Sequence, residues 1–198
     1  MRWGEYKEKI IDSLDSFNFD SEIPSILAKS IDHNQTIFIA GNGGSDCIAN
    51  HYSCDLSKGA NKEWNKKMKR FKVISLCQNT SYLTAIANDE NYTQIFKQQL
   101  INLAEPNDIL ILISSSGNSP NVVAAAEYAN QIGMITIGIT GFDGGTLLDI
   151  CNYNAHIDSD MYETAEDIHS IFGHYLAVWL REETQPFTKN AHQFENTG

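Results

Sequence analysis

Four short apolar runs, each rich in β-branched residues, punctuate the chain at 36–40, 72–77, 109–114 and 134–140, and a weaker one follows at 153–158. Between them lie segments with helical spacing, at about 3–15, 20–32, 45–57, 92–104, 120–132 and 164–182. A shorter helix is predicted from the cap region Asn79-Thr80-Ser81 through Ala87. Such alternation predicts parallel strands joined by helical crossovers. The run Ile109-Leu110-Ile111-Leu112-Ile113 is apolar at every position, as a strand covered on both faces requires. The expected architecture is α/β: a doubly wound, flavodoxin-like parallel sheet of about five strands with helices on both faces. Its functional loops belong at the carboxyl ends of the strands.

The 198 residues suit one domain, placed at 1–183 with a helical segment at 1–33, followed by an extended tail at 184–198. A hydrophobic share of 42% and a charged share of 20% fit a soluble globular chain. The amphipathic start lacks an apolar signal core, and no run approaches the ~18 residues of a membrane helix. Cys47, Cys54, Cys77 and Cys151 show neither a CxxC pair nor the density of a disulfide scaffold. A cytoplasmic protein without membrane or nucleic-acid partners is the expectation. The net charge of −11 argues further against nucleic acid. Half of the 14 basic residues (Lys58, Lys62, Lys66, Lys67, Lys69, Arg70 and Lys72) nevertheless fall in one stretch, read either as a solvated face or as steering for an anionic substrate.

Three predicted strands run into small, glycine-rich turns: 41–45 (GNGGS), 114–119 (SSSGNS) and 140–145 (TGFDGG). Glycine lets backbone N–H groups approach an anion closely, and the helix that follows offers unpaired amides at its N-terminus. Serine hydroxyls add donors without bulk. An acidic chain can thus hold a phosphate without an arginine fork. The candidate phosphate ligands are Gly43, Gly44, Ser45, Ser114, Ser115, Ser116 and Ser119, with the amide of Gly117; Asn42, Asn88 and Asp89 are candidates for sugar hydroxyls or for bracing the loops. The GxxxxGK[ST] spacing is missing and no glycine closes a GxGxxG, which disfavours nucleotides.

The motifs 41–45, the helix carrying His51, 84–89 (TAIAND), 114–121 (SSSGNSPN) and 138–145 (GITGFDGG) occur in one order. Together they resemble the sedoheptulose 7-phosphate isomerases, or phosphoheptose isomerases, of the sugar-isomerase (SIS) domain fold, over the chain up to about residue 182. The resemblance implies isomerisation of D-sedoheptulose 7-phosphate to D-glycero-D-manno-heptose 7-phosphate through a cis-enediol, for bacterial surface polysaccharide such as lipopolysaccharide. It also implies a homotetramer, built partly on the N-terminal helices, with active sites shared between subunits. It places the catalytic base at Asp55 and the acid–base partner at His174, from different subunits. One zinc or other divalent ion per subunit falls to His51, Asp55, Glu166 and His174, with Glu166 also a substrate-site residue.

From the residues alone, His51 and Asp55 at i,i+4 share a helix face, which suits a metal, an acid–base pair or a simple surface hydrogen bond. The segment Thr164-Ala165-Glu166-Asp167 reads as a capping box with Thr164 as N-cap. On a straight helix Glu166 and His174 stand about 12 Å apart, so meeting at one metal is difficult; Glu166 and His169 form a local alternative pair. His169 and His174 also fit as core or interface histidines. Two positions depart from the resemblance: Asp55 stands for a glutamate, with about 1.5 Å less reach, and Glu166 for a glutamine. The arginine that commonly follows the helix is missing, with Lys58 or Lys62 as substitutes. Two alternatives follow: a paralogue acting on another ketose phosphate, and a non-catalytic tetramer binding a replication-initiator protein.

Overall fold

The computed structural model describes residues 1–61 and 69–184. Lys62, Lys66 and Lys67 of the basic stretch, and the tail beyond Thr184, lie outside the described residues. Chain order runs α1 (Trp3–Ser16), β1 (Asn18–Phe19), α2 (Ile23–His33), β2 (Thr36–Gly41), α3 (Gly44–Cys54) and a π-helical turn (Asp55–Gly59). Then come β3 (Lys72–Ser75), α4 (Thr80–Asp89), a 3-10 turn (Tyr92–Gln94), α5 (Lys97–Leu103), β4 (Ile109–Ser114) and α6 (Pro120–Gln131). β5 (Ile135–Thr140), α7 (Gly145–Ile150), β6 (Tyr153–His156) and α8 (Tyr162–Glu183) complete it.

The sheet order is β1-β6-β5-β4-β2-β3, and all neighbours are parallel except β1 against β6. Without β1 this is the flavodoxin-like order, whose direction of winding reverses between β2 and β4. All six residues of β4 are buried, which explains its unbroken apolar run. Six strands stand where about five were expected: β1 is two residues long and leaves no alternation to read. The segment expected as one helix over 92–104 is a 3-10 turn and then α5, with buried Ile95 and Phe96 at the joint. Asn79 caps α4 as expected, its side chain accepting from the Tyr82 amide.

α8 begins at Tyr162, not at Thr164. The Ala165 amide already donates to the Met161 carbonyl, and the Tyr162 ring packs edge-on against Phe142 at 4.8 Å. Thr164 is therefore no N-cap but a buried residue inside the first turn, its hydroxyl unpaired. Glu166 moves one turn deeper into the helix than a capping box would place it.

Candidate active site

The loops after β2 and β4 meet where the winding reverses, the place at which an open α/β sheet binds ligands. Between them lies a cleft of about 150 Å³ lined by Asn42, Ser45, Ser114, Ser115, Ser116, Ser119, Tyr162 and Glu166, along with Ile113. The N-termini of α3, α6 and α8 all border it, and their unpaired amides favour negative charge. No lysine or arginine lines it among the described residues.

The loop geometry depends on positions that exclude side chains. Gly43 has φ +56°, and Gly41 leaves only 2.6 Å between a built Cβ and the Ser45 carbonyl oxygen. Asn42 lines the cleft with its side-chain oxygen already engaged elsewhere. It exchanges amide bonds of 2.9 and 2.8 Å with Asn121 and accepts from the Tyr92 hydroxyl at 2.9 Å, tying the β2 loop to α6. These bonds are of the kind the bracing role requires. Asn121 and Tyr92 were not anticipated, since nothing in sequence spacing signals a reciprocal amide pair across 79 residues. The third glycine-rich turn supports the second: the Leu147 amide bonds Gly117, that of Gly141 bonds Ser115, and Thr146 donates twice to Asn118. Asn88 and Asp89 lie outside the cleft, exposed at the end of α4 and bonded to each other at 2.8 Å.

A second cluster lies along α3 and α8. These helices run side by side in the same direction: Gly44 meets Glu166, Tyr52 meets Gly173, and the Gly59 carbonyl accepts from Arg181. Gly173 has no Cβ, and the buried Tyr52 ring fills that space while its hydroxyl donates to the His169 carbonyl. This packing sets Asp55 Oδ2 3.5 Å from His51 Nε2 and 3.7 Å from His174 Nε2. The imidazoles stand nearly perpendicular, with centroids 4.9 Å apart. One donor atom from each of the three residues lies within 4.8 Å of the others, an arrangement able to hold a metal ion. Asp55 opens the π-helical turn, the kind of helical irregularity found often at functional sites. Asp55 and His174, expected from different subunits, come together within one chain.

Glu166 is not part of this cluster. Its carboxylate lies over Gly44 in the serine cleft, so the axial distance along α8 separates it from His174 as the rise of a helix requires. Burial, and then the neighbouring Glu163 and Asp167 carboxylates, hold its pKa above the usual range for a glutamate. His169, the local alternative partner for Glu166, is fully buried and does not line the cleft. Burial pushes its imidazole down to about 4, with nearby His156 acting in the same sense.

That shift has a sign that can be checked. From pH 6.5 down to about 4 the unfolded chain carries a proton at His169 that the native chain refuses. Stability from this group is complete above pH 6.5 and is lost as pH falls through that window, by up to about 3 kcal/mol. Urea unfolding midpoints of wild type should therefore drop more between pH 7.5 and 4.5 than those of His169→Gln. Equal drops would mean that this imidazole titrates normally.

The SIS domain family matches residues 9–141. Phosphoheptose isomerase of Aliarcobacter butzleri is 36% identical over 158 residues, covering 80% of this chain and 82% of the relative. This chain belongs to the phosphoheptose isomerase family. The Helicobacter pylori member is 34% identical over 172 residues, covering 86% of this chain and 88% of that one. Two solved phosphoheptose isomerases share the fold. That of Francisella tularensis gives a TM-score of 0.82 at 24% identity, covering 91% of this chain and 95% of its own. GmhA of Neisseria gonorrhoeae gives 0.77 at 23% identity, covering 89% and 95%. Within the phosphoheptose isomerase fold, then, one end of the α3–α8 pair carries a serine-lined cleft and the other a His–Asp–His cluster.

Proposed function

We propose that this chain isomerises D-sedoheptulose 7-phosphate to D-glycero-D-manno-heptose 7-phosphate, the aldose entering heptose biosynthesis for a bacterial surface polysaccharide. The observation that carries the reading is the pairing of the two sites on α3 and α8 in a chain 34–36% identical to phosphoheptose isomerases. Along the helix axes, Gly44 to His51 is about 10 Å and Glu166 to His174 about 12 Å. An extended seven-carbon chain, advancing about 1.3 Å per bond, spans about 10 Å from C1 to phosphorus. The phosphate would rest on Ser45, Ser114, Ser116 and Ser119 and on the amides at the starts of α3 and α6.

Asp55 is assigned as the base that takes the proton from C1 of the ketose and returns it to C2. His174 is assigned to move the hydroxyl proton between O1 and O2 of the cis-enediol. His51, Asp55 and His174 would hold a divalent ion, and two imidazoles with a carboxylate suit zinc. Such an ion supplies Lewis-acid polarisation of the carbonyl. Metal content of the purified protein, lost together with activity on chelation and restored together by zinc, would bear this out; full activity in metal-free protein would remove it.

His51 and His174 are more than half exposed, at 54% and 58% of their side chains, too open for chemistry that must exclude water. α1 buries none of its residues and leaves Trp3, Ile11 and Leu14 exposed, while α8 leaves Ile171, Tyr175 and Val178 exposed at helical spacing. These faces support a homotetramer in which a second subunit covers each cluster. Among the described residues no helix is long and apolar enough to cross a membrane, and a cytoplasmic location is part of the proposal. Purified protein should turn over sedoheptulose 7-phosphate with aldose formation. Turnover of a different ketose phosphate alone would select the paralogue reading, and binding of a replication initiator without turnover the non-catalytic one.

A further inference from the structure

The parallel pair of α3 and α8 is tied at three levels. Gly44 meets Glu166 at the cleft, the Tyr52 ring fills the space at Gly173, and at the far end Arg181 Nη1 donates to the Gly59 carbonyl at 3.4 Å. Asp55 and His174 stand between the second tie and the third. The third tie falls on the π-helical turn, in which the Ala60 amide donates to the Asp55 carbonyl, five residues back, at 2.7 Å. Such turns are rare, single-turn departures from the α-helix, and contacts with other elements decide whether a short helical segment persists. Within the chain's own exit, Asn61 donates to the Ser57 carbonyl at 2.8 Å from its side chain and to that of Lys58 at 3.1 Å from its amide. Arg181 supplies a hold from outside. Gly59 also stands against Asp55 itself: a Cβ built there would lie 3.6 Å from Asp55 Oδ1 and 3.7 Å from its Cβ. A shift of the Gly59 backbone is therefore felt at the carboxylate.

Arg181 lies in the last turn of α8, where any cation offsets the helix dipole. That end is already closed by Thr184, whose amide and hydroxyl both donate to the Leu180 carbonyl. The guanidinium reaches the other helix instead, and the bond to Gly59 is its one hydrogen bond among the described residues. No carboxylate among them pairs with it. The side chain is half-buried, where a charge-assisted bond counts for more than in open water. Arg181 and His174 are seven residues apart on one face of α8, about 10 Å along the axis. That distance keeps Arg181 from touching carbons held between Asp55 and His174. We infer that Arg181 is a positioning residue: it pins the π-helical turn through the Gly59 carbonyl and so holds the Asp55 carboxylate against His174. The inference rests on the isomerase reading for its effect on rate, and on the His–Asp–His geometry for its effect on metal affinity.

The test compares wild type with three variants: Arg181→Met has no donor, Arg181→Gln is too short to reach, and Arg181→Lys restores one cationic donor. With sedoheptulose 7-phosphate, the methionine and glutamine variants should lose about tenfold or more in kcat, since a displacement of about 1 Å can cost about 10²-fold. KM should stay within about twofold, because the serine cleft lies about 20 Å away along the helix axes. Arg181→Lys should recover kcat to within about threefold of wild type, as one bond to a carbonyl does not need the guanidinium fork. Starting from metal-free protein, competition with a chromophoric chelator should show Arg181→Met binding zinc about tenfold more weakly, as loss of an outer support does. A merely structural role would lower the urea midpoint alone and leave kcat of the folded enzyme and zinc affinity unchanged. Unchanged kcat, unchanged zinc affinity, or a lysine variant as impaired as the methionine one overturns the inference and leaves the isomerase reading standing. If wild type turns over no ketose phosphate, that reading falls and the zinc comparison decides the inference alone. Wild type lacking both turnover and zinc binding removes both.

Discussion

Asp55→Asn is expected to lower kcat by roughly 10³-fold, and His174→Ala by a comparable factor, within the range that general acid–base groups contribute. Each removes one partner of a cluster whose donor atoms lie 3.5 to 3.7 Å apart around Asp55 Oδ2. Groups that act as a unit are not additive, so the double variant should be little slower than either single one. Both side chains lie on the open face of the α3–α8 pair, and His174 is more exposed than buried. In metal-free protein their replacement should therefore change the unfolding free energy by no more than about 0.5 kcal/mol. Steady-state kinetics beside urea unfolding separates the two effects. Near wild-type kcat in both single variants would remove the catalytic assignment.

The second large effect is expected at Gly173, which has no chemistry of its own. A Cβ there would stand 1.9 Å from Cε1 of Tyr52. The tyrosine cannot swing away, because its ring is buried and its hydroxyl is held by the His169 carbonyl. Alanine is the better helix former by about 1 kcal/mol, which would favour the variant on an exposed surface. Overpacking of a buried contact costs about 1–3 kcal/mol, and here the clash is with a rigid ring, so the net effect should be a loss of about 1–2 kcal/mol. The helices must then move apart, and with them Asp55 and His174. A displacement of about 1 Å in a reacting pair can cost about 10²-fold in rate. Gly173→Ala should thus lose both stability and kcat with KM little changed. Wild-type kcat in a folded Gly173→Ala protein would show that the spacing of α3 and α8 does not set the rate.

Features carried by local pattern were legible without coordinates. β4 announces itself because a strand covered on both faces has no polar position to interrupt it. The β2 and β4 loops are legible because their backbone demands glycine next to serine, and the sheet order then brings them together. The i,i+4 relation of His51 and Asp55 is likewise local. Features set by contacts between distant segments were not legible. The start of α8 depends on Tyr162 packing against Phe142, and the role of Asn42 on Asn121 and Tyr92. Helical rise alone already set Glu166 about 12 Å from His174, but its position over Gly44 follows from how α3 lies against α8. The two-residue β1 and the short α7 carry too few residues for any periodicity to emerge.

The most direct test of the central claim is proton NMR of sedoheptulose 7-phosphate with the purified, zinc-supplemented protein in deuterated water. Proton transfer through an enediol predicts accumulation of the aldose 7-phosphate with deuterium at C2, at a rate that falls by roughly 10³-fold in Asp55→Asn. Unchanged ketose after prolonged incubation, or equal rates in wild type and Asp55→Asn, would contradict it.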